Sequence, residues 1–183
     1  MLHHVCAPTT TDDPVLYRVD DTMKTIQGNL LDFPNGISAI FHQANTENVM
    51  GAGIAKEIRE RYPEAYETDT NFYIPKGRHR LGEYSFASVN DENSPHRLVY
   101  NLYGQRLGKN SIWGIPTDYF ALKDSLNKAL HEYTTFFGHY DKIICGFPDK
   151  MGCGLGCGDW KIVEYIIEEA MEKHNLTGYI VKL

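Results

Sequence analysis

The chain has 183 residues, 42% of them hydrophobic and 23% charged, a length at which one domain of roughly 100–200 residues is expected. A chain of this size buries about 70% of the surface its unfolded form exposes, so it needs no disulfide or metal to fold. The formal charge of −6 argues against a general nucleic-acid binder, whose affinity comes from cations that neutralise phosphates.

No run of about 18 apolar residues occurs, so no membrane contact is expected. Met1-Leu2-His3-His4-Val5-Cys6-Ala7-Pro8 has neither the basic start nor the apolar core of a secretion signal. Cys6, Cys145, Cys153 and Cys157 therefore read as reduced thiols of a cytoplasmic protein. Residues 1–14, rich in Thr, Asp and Pro, read as a flexible N-terminal arm, and residues 15–183 as a single domain, expected to be monomeric.

Val15–Val19 and Met23–Gln27 are short, partly alternating runs that predict strands. Ile37–His42 predicts a better strand, followed by a polar stretch from Gln43 to Asn48. Ile54, Ile58 and Tyr62 recur at helical spacing between charged residues, which predicts an amphipathic helix stopped by Pro63. Tyr84–Val89 and Leu98–Tyr103 predict strands. From Asp118 to Phe137 one face carries Tyr119, Leu122, Leu126, Leu130, Tyr133 and Phe137, a second helix. Lys142–Phe147 is nearly all apolar, as in a strand covered on both sides. A third helix follows Asp159 with Ile162, Val163, Ile166, Ile167 and Ala170 inward, and Gly178–Leu183 closes as a strand. Alternating strands and helices predict an α/β/α sandwich around a mixed sheet. Lys76, Arg78, His79 and Arg80 read as a solvated basic loop face.

Two glycine loops stand between a strand and a helix. The first is Val49-Met50-Gly51-Ala52-Gly53-Ile54-Ala55, and the second is Met151-Gly152-Cys153-Gly154-Leu155-Gly156-Cys157-Gly158-Asp159-Trp160. Glycines give the backbone conformations closed to other residues and bare its N–H groups, and a helix start favours an anion. Side by side at the carboxyl edge of a sheet, such loops cradle a diphosphate without Lys or Arg; tight turns alone are the plainer reading. A Rossmann fingerprint fails because Lys56 stands where its third glycine belongs. A Walker loop fails because Asn110 follows Gly108-Lys109 and Tyr103 takes the first glycine's place. Cys145, Cys153 and Cys157 match no zinc spacing, so neither metal nor cofactor is expected.

Gly28-Asn29-Leu30, then His42-Gln43-Ala44-Asn45 leading into Met50-Gly51-Ala52-Gly53-Ile54-Ala55, then Gly152-Cys153-Gly154-Leu155-Gly156 through Asp159-Trp160 together resemble the macrodomain family, over about Met23 to Leu183. The resemblance implies a three-layer α/β/α fold with ADP-ribose in a cleft at the sheet edge. It also points to the branch holding ADP-ribose-1''-phosphate phosphatases and certain ADP-ribosyl glycohydrolases. The implied ligand-binding set is Gly28, Asn29 and Leu30, the loop Met50 to Ile54, and the loop Gly152, Cys153, Gly154, Leu155, Gly156, Cys157 and Gly158. Asn29 replaces the family's usual acid, and its amide oxygen can still accept a hydrogen bond from the adenine amino group. Asn45 is implied as the anchor of the distal ribose, with Gln105 at the same end. Gln105 stands where the glycohydrolases carry a catalytic lysine, and glutamine cannot form the covalent imine.

Resemblance to fungal-type phosphatases implies His42 as a proton shuttle, with Asp159 orienting it or activating water. Each has a plainer reading: a satisfied buried histidine for His42, a helix N-cap for Asp159, an Asx-turn for Asn45. The expected activity is that of a phosphoric monoester hydrolase, a metal-independent phosphatase of ADP-ribose-1''-phosphate. Its alternatives are a non-catalytic ADP-ribose reader and a lysine-free ADP-ribosyl ester hydrolase acting on ADP-ribosylated protein.

Overall fold

The computed structural model describes residues 22–91, 94–108, 114–138 and 143–183. The expected arm 1–14 and the expected strand Val15–Val19 lie outside these residues. One sheet holds β1 (Met23–Gln27), β2 (Ala39–Asn45), β3 (Tyr84–Asp91), β4 (Ser94–Gln105), β5 (Ile144–Pro148) and β6 (Thr177–Lys182), in the order β1-β6-β5-β2-β4-β3. β3 runs antiparallel to β4, and the other pairings are parallel. Helices α1 (Gly53–Arg61), α2 (Pro63–Thr70), α3 (Tyr119–Phe137) and α4 (Trp160–Lys173) complete the α/β/α sandwich, a mixed sheet between helical layers.

The period-two geometry of β2 explains why the sheet has a core on each face. Ala39 and Phe41 pack with Tyr100, Phe147, Leu122 and Leu126 on the α3/α4 side. Ile40, between them in sequence, joins Ile58, Ala65 and Val99 on the α1/α2 side. Phe41 stacks on Tyr100 at 4.7 Å and on Phe147 at 5.4 Å between ring centroids, which ties three neighbouring strands.

The structure departs from the sequence expectations in four places. β2 runs on through Gln43 to Asn45, because β4 continues beside it and pairs Asn45 with Gln105. Pro63 does not merely stop a helix but opens α2 at its first position, where its missing N–H costs nothing. Ile162 is 43% exposed, and Met171 instead completes the inner face of α4. Arg80, expected in solvent, is 2% exposed, and its partner Asp69 1%.

Arg80 is held by geometry that a loop cation does not need. Its Nε donates to Ile74 O at 2.7 Å, and its Nη1 donates to Asn48 Oδ1 and to Asp69 O at 3.1 Å. The guanidinium lies over the rings of Phe72 and Tyr103, 5.3 and 5.4 Å from their centroids. It therefore fastens the loop after β2 to the end of α2. Arg80→Met leaves Asp69 buried without its counter-charge and is expected to lower the unfolding free energy by about 3–5 kcal/mol. Urea denaturation measures this, and a loss below about 1 kcal/mol contradicts the assignment.

Candidate functional site

β2 and β5 pair only at Ala39 with Cys145 and Ile40 with Gly146, although both strands continue beyond. The chain leaves β2 for β3, beyond β4, and leaves β5 for β6, on the opposite side. This is the switch point of the sheet, where the carboxyl ends part and no crossover covers the gap. A cleft of about 900 Å³ opens there, and both glycine loops line it. Of the expected ligand-binding residues, Asn29, Leu30, Asn45, Met50, Gly51, Ala52, Gly53, Ile54, Gln105, Gly152, Gly154, Leu155 and Gly156 line the cleft. Gly28, Cys153, Cys157 and Gly158 do not, and neither does His42 or Asp159.

The first loop is shaped by Asn45. Its Oδ1 accepts from Glu47 N at 2.9 Å and Val49 N at 3.2 Å, and its Nδ2 donates to Val49 O at 2.6 Å. The Asx-turn is thus present, and it turns the chain into the cleft. No side chain caps α1: Ala52 occupies the N-cap, and the first-turn residues Gly53, Ile54 and Ala55 line the cleft. The unsatisfied N–H groups and dipole of that turn are suited to an anion.

The second loop is tied from below by Thr117, which is fully buried. Thr117 Oγ1 donates to Gly152 O at 3.1 Å, and Thr117 N donates to Gly156 O at 3.0 Å. Because a carbonyl only accepts, Thr117 Oγ1 must in turn accept from Gln43 Nε2, at 2.9 Å. The second Nε2 hydrogen goes to Gln105 Oε1 at 2.8 Å. This close approach explains two of the glycines. A Cβ on Gly152 would run into Gln43 Oε1, and one on Gly156 into Gly152 O and 2.9 Å from Gln105 Oε1. Gly154 is different, since a Cβ there would meet nothing within 4 Å. It faces the open cleft.

The expected catalytic pair is not brought together. β2 alternation turns His42 away from Gln43 and into the interior, fully buried. Asn101 Nδ2 donates to Ala65 O at 2.9 Å, so its Oδ1 faces His42 and accepts from Nε2–H at 2.7 Å. Burial pushes the imidazole pKa down to about 4, so His42 is neutral. Asp159 is exposed and caps α4, its Oδ1 accepting from Lys161 N at 2.9 Å. The start of α4 is therefore already occupied by a carboxylate, unlike the start of α1.

His42 does begin a buried polar chain that ends at the cleft. Asn101 Nδ2 also donates to Ser85 Oγ at 3.0 Å, Ser85 Oγ meets Tyr103 Oη at 2.9 Å, and Tyr103 donates to Asp69 Oδ1 at 2.9 Å. Asp69 lines the cleft, and burial raises its pKa against the opposing pull of Tyr103 and Arg80.

Solved structures share this fold. A Bacteroides thetaiotaomicron protein of unknown function superposes with a TM-score of 0.73 at 23% identity, over 90% of this chain and 99% of that one. The macrodomain of Mycobacterium tuberculosis DarG does so with a TM-score of 0.67 at 18% identity, over 88% and 97%. This chain has the macrodomain fold. A variant macrodomain of Oceanobacillus iheyensis, solved with ADPR, superposes with a TM-score of 0.64 at 15% identity, over 90% and 86%. No family model matches the sequence. An ADP-ribose 1''-phosphate phosphatase of Aspergillus oryzae is 44% identical over 45 residues, which is 25% of this chain and 22% of that protein.

Around the cleft, Gln43, Thr117, Asp69 and Arg106 were not among the residues expected from the sequence. Only Thr117 carried a local signal, next to the helix-capping Asp118. The histidine supplies a direct check on its placement. Held below its ordinary 6.5, His42 stays neutral in the folded protein while the unfolded chain takes up the proton. Stability is thus fully present above pH 6.5 and is lost as pH falls toward 4, by about 3 kcal/mol. His42→Gln is expected to flatten the pH dependence of unfolding between those values, read by urea midpoints. Equal slopes contradict a buried neutral imidazole.

Proposed function

We propose that this macrodomain binds ADP-ribose in the cleft and releases the terminal phosphate of ADP-ribose-1''-phosphate. One observation carries the binding reading: the uncapped start of α1 and the open Gly154 flank a cleft at the parting of β2 and β5. Backbone N–H groups there suit a diphosphate, and the overall negative charge is no obstacle because the donors are fixed dipoles. The ADPR in the Oceanobacillus structure and the name of the Aspergillus relative support the ligand class.

The phosphatase reading needs a water to attack phosphorus while the departing sugar oxygen takes up a proton. With His42 and Asp159 off the cleft, the carboxylates that line it are Glu57, Asp69 and Asp149. Asp69, the ionised partner of Arg80 with a hydrogen-bonded backing from Tyr103, is the one that suits a base, taking a proton from the attacking water and passing it to the departing sugar oxygen. The burial of His42 and the capping role of Asp159 favour a second reading, a non-catalytic ADP-ribose reader.

Titration calorimetry with ADP-ribose, and phosphate release from ADP-ribose-1''-phosphate in the presence of a chelator, separate the two. Binding with turnover supports the phosphatase, and binding without turnover selects the reader. Absence of ADP-ribose binding removes both. Because a Cβ at Gly154 meets no neighbour within 4 Å, Gly154→Val is expected to fold normally yet fill the anion site. ADP-ribose affinity is expected to fall by about tenfold or more, the loss of a charge-assisted hydrogen bond or two. Lys150→Ala, immediately before the same loop, is expected to have a smaller effect. Equal affinities of wild type and the Val variant contradict backbone recognition.

A further inference from the structure

The cleft has a direction set by the strand order. Asn29, just beyond β1, lines one end, and Gln105 and Arg106, at and beyond the carboxyl end of β4, line the other. From β1 to β4 there are four strand steps, roughly 20 Å at the usual spacing of neighbouring strands. The two glycine loops, after β5 and β2, lie between these ends.

Among the described cleft-lining residues only Arg106 and Lys150 are cationic. Lys150 immediately precedes the second glycine loop, in the middle of the cleft. Arg106 stands at the β4 end, beside the Gln105 that bonds Gln43. Its main-chain N–H is used by Pro116 O at 3.1 Å, which fixes the residue in place. The residue is half-exposed at the cleft wall, and its Nε, the buried part of the guanidinium, meets no acceptor among the described residues. A buried guanidinium N–H without an acceptor is costly unless a ligand supplies one. The carboxylate nearest in role, Asp69, is already bonded by Arg80 and Tyr103.

We infer that Arg106 is the specificity residue for a terminal phosphate monoester, holding the phosphoryl group of ADP-ribose-1''-phosphate at the β4 end of the cleft. This rests on the binding reading above and adds to it a division of labour. Main-chain amides in the middle of the cleft take the diphosphate, which ADP-ribose and its phosphate share. A guanidinium at one end takes the group that distinguishes them, through the planar fork that suits phosphate. Arg106 acts in selecting the substrate, whether or not turnover follows.

The test is displacement of a labelled ADP-ribose by unlabelled ADP-ribose and by ADP-ribose-1''-phosphate, followed by stopped flow before one turnover is complete. Wild type is expected to favour the phosphate monoester by at least about tenfold, the worth of a hydrogen bond to a charged group. Raising the ionic strength to about 0.5 M is expected to shrink that preference, since the pair is reached by solvent ions. Arg106→Gln is expected to abolish the preference while leaving ADP-ribose affinity within about twofold, and Arg106→Lys to keep part of it. Equal affinities in wild type, or a preference insensitive to salt, overturn the inference even if no variant folds. Equal loss of both ligands in Arg106→Gln overturns it too, and reassigns Arg106 to the shared diphosphate. Failure of wild type to bind either ligand overturns it by removing the binding reading on which it rests.

Discussion

The site depends on two parallel strands that pair for two residues and then separate. Beyond Ile40 and Gly146, the ends of β2 and β5 no longer hydrogen-bond each other, so their backbone groups must find other partners. Some are met by side chains: Asn45 closes the first loop, and Thr117 holds the second through Gly152 and Gly156. The start of α1, which no side chain caps, faces the cleft. The capacity for an anion on which the proposed function rests is therefore a by-product of where the sheet divides, and the glycines allow the loops to approach closely.

Two polar assemblies brace the two flanks of this opening. On one, Gln43, Gln105 and Thr117 join the ends of β2 and β4 to the second loop. On the other, the chain from His42 through Asn101, Ser85 and Tyr103 to Asp69 and Arg80 joins β2 and β4 to α2 and the first loop. Hydrogen bonds buried in a low dielectric strengthen one another when every member is satisfied, and they penalise any shift that breaks one. His42 Nδ1 in one and Gln43 Oε1 in the other have no hydrogen-bond partner among the described residues and are the weak points. A histidine in this setting is a neutral structural donor.

The layered architecture was legible because single periods carried it. The faces of α3 and α4 repeat every three or four residues, and β5 is apolar throughout. The glycine loops were legible too, since their composition is unusual wherever they fall. Side-chain roles were not. His42 and Gln43 are adjacent in sequence, yet strand alternation sends one into the α1/α2 layer and the other beneath the second loop. Asp159 reads equally as catalyst or cap, and the exposed N-terminus of α4 makes it a cap. Arg80 looks like its neighbours Arg78 and His79, and only the ring of acceptors from Asn48, Asp69 and Ile74 distinguishes it. The parting of helices at Pro63 turns on the non-helical backbone of Tyr62, at φ −130° and ψ 72°.

By itself the sequence determined the alternation of strands and helices, the apolar faces that force a two-sided sheet, and the two places where glycine frees the main chain. Those properties are local: they depend on residues within a turn or two of one another, and the chain's periodicity encodes them directly. The tertiary structure alone decided which polar side chains meet. Gln43 and Thr117 are 74 positions apart, and His42 and Asn101 are 59 apart. Such pairs exist only because β2, β4 and the approach to α3 converge at the carboxyl edge of the sheet, so no spacing along the chain records them.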